Sequence, residues 1–225
     1  MRAYVSLWSA DLLAVGAAVD LVEREADGFH LDVFDGHNVR DLLFGPDFVA
    51  ALRARTDAVL DVHLNVEEPD YWARRFAEAG ADMVTVQAVP CADVRATLRA
   101  IAALGVRPGL GLEVTDEPAL AIELMEEVDR VLVMGTEIGV KGLGLDEHAC
   151  ARVRGLRAAR EHTARRPEIV VDGGIRRHTV TELAAAGADG VVPGSLVLGE
   201  KDPVAAIQWL HTLGAGARPA EPAGA

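Results

Sequence analysis

Phe29-His30-Leu31-Asp32-Val33-Phe34-Asp35-Gly36 is the stretch on which the reading of this chain turns. Its apolar and polar residues alternate as in a strand, so Phe29, Leu31 and Val33 face one way while His30 and Asp32 face the other. A histidine and a carboxylate two positions apart on one strand face can grip a divalent metal. Two other stretches end in the same chemistry, Asp61-Val62-His63 and Val171-Asp172-Gly173-Gly174.

Around this stretch the chain repeats one unit. Strands are expected at residues 2–7, 28–33, 58–63, 83–87, 107–112, 130–134, 168–172 and 190–194. Several are unbroken apolar runs, such as Val131-Leu132-Val133-Met134 and Ile169-Val170-Val171, which suit parallel strands buried on both faces. Between them, apolar residues spaced by three and four predict helices near 11–25, 46–55, 69–79, 91–103, 117–126, 146–162, 177–186 and 203–213. Glu78-Ala79-Gly80-Ala81-Asp82 before one strand is echoed by Ala186-Gly187-Ala188-Asp189 before another, each glycine standing where a helix hands over to a strand. Strand–helix units in such a series predict an α/β fold, a single-domain (β/α)8 TIM barrel over residues 1–213. Residues 214–225, rich in Gly, Ala and Pro, are expected to form a mobile tail.

Composition agrees with that architecture. Half of the 225 residues are hydrophobic and 4% aromatic, so the core is built from Ala, Val, Leu and Ile. A formal charge of -13 argues against nucleic acid or an acidic membrane surface as partner. No apolar run is long enough to span a bilayer, and no charged segment leads into an apolar one at the N-terminus, so a cytoplasmic protein is expected. Cys91 and Cys150 lie in no paired motif and read as two reduced thiols.

Barrel enzymes carry their chemistry at the C-terminal ends of the strands. His30 and Asp32 close the second expected strand, His63 the third and Asp172 the seventh, so all four share one rim. Singly each is a weak signal: a lone histidine is more often a satisfied core residue, and Asp172 before two glycines could be turn chemistry. Together they form a nitrogen-and-oxygen ligand set that suits Zn²⁺, with Mn²⁺, Fe²⁺ and Co²⁺ open. On the same rim, Gly173-Gly174 and Gly194-Ser195 follow the seventh and eighth strands, where this fold often binds phosphate through backbone N–H groups.

On these residues the chain resembles the ribulose-phosphate 3-epimerase family, nearly to Leu213. The matching stretches are Ser6-Leu7-Trp8-Ser9-Ala10-Asp11-Leu12, His30 through His37, Gly45-Pro46, Leu60-Asp61-Val62-His63-Leu64 and Val171-Asp172-Gly173-Gly174. The resemblance implies a metal-assisted 1,1-proton transfer on a phosphorylated ketose, ribulose 5-phosphate and xylulose 5-phosphate being the default pair. It implies that His30, Asp32, His63 and Asp172 bind the metal and that Asp32 and Asp172 are the acid–base pair. Ser6 would touch substrate, and Gly173, Gly174, Gly194 and Ser195 would grip phosphate. A homo-oligomer is the family habit.

The departures surround the sugar. Phe34 and Asn65 stand where the family usually has methionine, Gln87 where it has histidine, and Glu113 where it has Asn. The loop that closes over substrate reads Gly135-Thr136-Glu137-Ile138-Gly139-Val140-Lys141-Gly142-Leu143. It keeps Gly139 and Gly142 in register and offers Lys141 as a phosphate contact or as a solvated lysine. The same reaction on another phosphorylated ketose or a cyclic α-hydroxyketone phosphate is therefore the alternative within enzymes. A non-catalytic phosphate-ligand barrel is the alternative outside them. Related metal-dependent decarboxylases carry an Asp-x-Lys-x-x-Asp signature, and the lysine is missing here.

Overall fold

The computed structural model describes residues 1–214. The expected tail therefore lies, except for Gly214, outside the described residues. Eight parallel strands close on one another: β1 (Arg2–Ser6), β2 (Gly28–Asp35), β4 (Leu60–Asn65), β5 (Met83–Gln87), β6 (Arg107–Leu112), β7 (Arg130–Met134), β8 (Glu168–Asp172) and β9 (Gly190–Val192). Each pairs with the next, and β1 completes the ring by pairing with both β2 and β9. A two-residue strand that periodicity does not reveal, β3 (Leu42–Leu43), runs antiparallel to the end of β2.

The helices between strands are α1 (Val15–Val22), α2 (Pro46–Arg53), α3 (Pro69–Glu78), α4 (Val94–Ala103), α5 (Ala119–Glu123), α6 (Ala149–Arg160), α7 (Arg177–Ala186), α8 (Ser195–Leu198) and α9 (Pro203–Thr212). Four of them, α1, α4, α5 and α6, start two to four residues later than their apolar stripes suggest, because turn residues come first. Asp93 and Asp202 cap α4 and α9 by accepting from the N–H groups of Ala96 and Ala205. Proline opens α2, α3 and α9, where its missing N–H costs nothing.

The aspartates of the repeat serve the barrel floor. Asp27 Oδ2 accepts from Ala3 N at 2.8 Å, Asp82 Oδ2 from Leu60 N at 2.8 Å, and Asp189 Oδ2 from Ile169 N at 2.9 Å. In each case the acid preceding one strand satisfies an N–H near the start of its neighbour, which the helix layer cannot reach.

Strand alternation divides the core in two. Phe29, Leu31, Val33, Val131, Val133, Ile169 and Val171 face outward and pack under the helices. Inside the ring the apolar filling is sparse: Tyr4, Leu132, Met134, Val170 and Val192. Other inward positions are polar, among them the charge-bearing His30, Asp32, Asp61, His63 and Arg130, all buried. Burying so many charges is costly unless they are paired, and here each charge answers another.

Candidate functional site

The register of β2 against β4 sets the first two layers. His30 lies beside Asp61, and Asp32 beside His63. Asp61 Oδ2 lies 2.8 Å from His30 Nδ1. A carboxylate only accepts, so Nδ1–H donates to it and Nε2 is left to face the mouth. His30 is fully buried and its Nε2 has no hydrogen-bond partner. That nitrogen lies 3.4 Å from Asp32 Oδ1 and 3.7 Å from Asp172 Oδ2. Asp172, at the end of β8, enters from three strands away around the ring.

His63 is held at both nitrogens. Its Nδ1 is 3.2 Å from Asp32 Oδ1 and its Nε2 is 2.7 Å from Gln87 Nε2. An amide nitrogen donates and a carboxylate accepts, so Gln87 Nε2–H donates to His63 Nε2 and His63 Nδ1–H donates to Asp32 Oδ1. Room for Gln87 comes from Gly111 on the next strand, where any Cβ would collide with the amide.

One ligand atom from each of His30, Asp32, His63 and Asp172 lies within 4.8 Å of the others. Burial works against a charge on His30, but the carboxylates of Asp32 and Asp61 outweigh it and hold the imidazolium well above its ordinary range. Burial likewise works against Asp32, and the His30 charge still brings its carboxyl well below the usual value. At Asp172 the balance reverses: burial and then the Asp32 charge outweigh the opposing pull of His30, His63 and the Gly173 N–H and push it up to about 6. A field that draws a proton so strongly onto His30 favours positive charge at this spot. With an unpartnered buried nitrogen and two carboxylates converging, the donor set fits a divalent ion.

Beside the cluster opens a cavity of about 320 Å³. Asp32 and Asp172 line it together with Ser6, Gly139, Lys141, Gly142, Gly173, Gly174, Gly194 and Ser195, while the two histidines lie buried behind it and Asn65, Gln87 and Glu113 lie outside its lining. Gly173 and Gly174 both take positive φ, 92° and 68°, and a Cβ on Gly174 would stand 2.6 Å from the Leu145 backbone. Lys141 differs in part from expectation: its Nζ donates to the Trp8 carbonyl at 2.7 Å and sits 4.2 Å from the centre of the Trp8 ring. The ammonium thus joins the loop after β7 to the segment after β1.

Sequence reasoning did not assign Asp61 or Arg130. Arg130, wholly buried at the start of β7, donates to Asp61 and to Glu168 Oε2 (2.7 Å from Nη2), and its guanidinium lies over the Tyr4 ring. The signal for Asp61 was its place two residues before His63, on the same inward face. Arg130 gave none, because an arginine opening an apolar strand reads as an exposed strand end. Cys91 and Cys150 are both free, as expected.

Comparisons with known proteins bear on this site. The model of the ribulose-phosphate 3 epimerase family matches residues 3–198. The ribulose-phosphate 3-epimerase of Bacillus subtilis is 35% identical over 209 residues, covering 92% of this chain and 96% of the relative. That of Rhodobacter capsulatus is 39% identical over 193 residues, covering 84% and 82%. Among solved structures, KGPDC from Streptococcus mutans, in a ligand complex, aligns with a TM-score of 0.73 at 17% identity, over 94% of this chain and 96% of the other. Orotidine 5'-phosphate decarboxylase from Pyrococcus horikoshii aligns at 0.68 and 18%, over 96% and 100%. Identities this low speak for the shared barrel alone. The family model and the sequence relatives, spanning nearly all of the barrel including the four clustered side chains, establish that the chain belongs to the ribulose-phosphate 3-epimerase family.

Proposed function

We propose that the chain is a metal-dependent epimerase that inverts the carbon next to the ketone of a phosphorylated ketose, interconverting D-ribulose 5-phosphate and D-xylulose 5-phosphate. One observation carries the reading: two carboxylates from separate strands, Asp32 and Asp172, meet at the floor of one cavity within a four-residue ligand cluster. Inversion needs a base on one face of the reacting carbon and an acid on the other, and this pair supplies both.

His30 through Nε2, Asp32, His63 and Asp172 would hold the ion, and the mixed nitrogen and oxygen set favours zinc, with manganese, iron or cobalt as substitutes. Bound there, it supplies the positive charge that stabilises negative charge developing on the substrate's oxygens. The chain's own residues do the rest. One aspartate removes the proton α to the ketone, and the other returns a proton to the opposite face. Asp61 keeps the His30 ring oriented, as Gln87 does for His63. Backbone N–H groups at Gly173, Gly174, Gly194 and Ser195 receive the phosphate, where absent side chains allow close approach. The Ser6 hydroxyl touches the sugar, and Gly139, Lys141 and Gly142 form the wall that covers it.

The same reading includes a cytoplasmic protein and a homo-oligomer, with no nucleic acid or membrane partner. In support, no helix among the described residues is long and apolar enough to cross a membrane. The net charge is -13, and Leu13 and Leu42 stand 99% and 75% exposed where another subunit could cover them.

The test is solvent exchange. Zinc-loaded full-length protein, given D-ribulose 5-phosphate in D2O, should yield D-xylulose 5-phosphate with deuterium at the inverted carbon. Asp172→Asn should lower kcat by about 10²- to 10⁴-fold. A metal-loaded protein that binds the sugar but exchanges no proton would replace this reading with that of a phosphate-binding barrel. Inversion of another phosphorylated ketose or a cyclic α-hydroxyketone phosphate in preference would keep the chemistry and change the substrate.

A further inference from the structure

A second cavity of about 300 Å³ adjoins the first, the two sharing Glu137 and Ile138 in their walls. It lies over β4 and β6, whereas Gly173, Gly174, Gly194 and Ser195 stand at the ends of β8 and β9. A substrate with its phosphate at those glycines and its reacting carbon at Asp32 and Asp172 therefore extends its other end toward this second space.

The lining is rich in acceptors. Asn65 sits two residues beyond His63 on the same inward face of β4. It is 1% exposed, and its Oδ1 has no hydrogen-bond partner. Its amide nitrogen makes only a 3.5 Å approach to the His63 carbonyl. Glu113, just past β6, and Glu137, in the loop after β7, add two carboxylates to its wall. Asn38 and Thr115 contribute neutral polar groups, and no lysine or arginine lines the space. Burial and then the nearby Asp116 charge push the Glu113 carboxyl above its ordinary value, outweighing the opposing pull of His63. Among the described residues only His30, Asp32, His63 and Asp172 converge closely enough to hold a metal, so the two glutamates do not form a second metal centre.

We propose that this cavity is a subsite for a protonated primary amine on the substrate's end remote from the phosphate, which makes the preferred substrate class 1-amino-1-deoxyketose phosphates. The assignment rests on the epimerase reading above and narrows it. An ammonium brings three donors and one positive charge to a space that offers a buried amide oxygen and two carboxylates. A hydroxymethyl group brings one donor and leaves both acids unanswered.

The test compares 1-amino-1-deoxy-D-ribulose 5-phosphate with D-ribulose 5-phosphate on the zinc-loaded full chain, following deuterium entry at the carbon beside the ketone. The amine should be favoured by about tenfold in kcat/KM, mostly through KM. In a Glu113→Gln/Glu137→Gln double variant that ratio should fall to near one. Equal efficiency for the two sugars overturns the subsite, as does a preference that survives the double variant. Exchange with D-ribulose 5-phosphate alone overturns the subsite and leaves the epimerase reading standing. Exchange with neither overturns both.

Discussion

Replacing Arg130 by methionine tests whether the charges inside the barrel are held by one another. Arg130 and Asp61 are both wholly buried and in direct contact, and Glu168, 12% exposed at its side chain, takes the other edge of the guanidinium at 2.7 Å. Methionine fills similar space but leaves Asp61 with His30 Nδ1, at 2.8 Å, as its remaining charged neighbour. Removing one partner of a buried ion pair costs about 3–5 kcal/mol, because the survivor keeps its desolvation penalty. The contact of the guanidinium with the Tyr4 ring, 3.9 Å to its centre, adds about 0.5–2 kcal/mol to what is lost. Urea unfolding of Arg130→Met should therefore show a loss of about 3.5–7 kcal/mol with an unchanged m-value. Asp61→Asn added to that variant removes the stranded charge, so the double change should cost less than the sum of the two single changes by about 1–3 kcal/mol. A loss under about 1 kcal/mol for Arg130→Met, or simple additivity of the two changes, would refute the view that this network is mutually supporting.

Other outcomes follow from neighbouring contacts. Tyr4 is 2% exposed; burial raises its phenol to about 12, with the Glu168 carboxylate adding to the rise and the Arg130 charge opposing it. Its folded pKa stands above the unfolded value, so its contribution is complete below about pH 10 and is lost as pH rises toward 12. Unfolding free energies measured from about pH 9 to about pH 11.5 should fall less steeply for Tyr4→Phe than for the parent, and ultraviolet titration should lose its latest phase. Gly111→Ala should push the Gln87 amide off His63 and weaken zinc binding by about 10- to 100-fold, read by chelator competition. An unchanged affinity would show that Gln87 does not steady the ligand. Chelation of the ion should lower Tm, and zinc at about 100 times its Kd should restore about 2.7 kcal/mol of stability; a Tm indifferent to zinc would argue that the four side chains do not bind it.

Much of this was legible in the order of residues. Runs such as Val131-Leu132-Val133-Met134 announce strands covered on both sides, and their alternation with helical stripes leaves few folds besides the closed barrel. His30, Asp32, His63 and Asp172 were readable because the fold puts all strand ends on one rim. Leu42–Leu43 was not: a two-residue strand has no periodicity, and it exists only because the end of β2 offers it an edge. Arg130 was hidden for a different reason, since its value depends on Asp61, Glu168 and Tyr4 from three other strands. The Lys141 ammonium shows the same dependence. Sequence allowed it a phosphate or open water, and the barrel supplies a carbonyl and an indole face from a segment more than a hundred residues away.

That last contact gives the protein a natural optical gauge. The Trp8 indole lies beneath a cation and edge-on to Phe34, with ring centres 5.2 Å apart, beside the opening through which a sugar must pass. Any movement of the strap bearing Lys141 changes the electric field on that chromophore. Its emission wavelength should thus track entry and departure of ligands in real time, without a label.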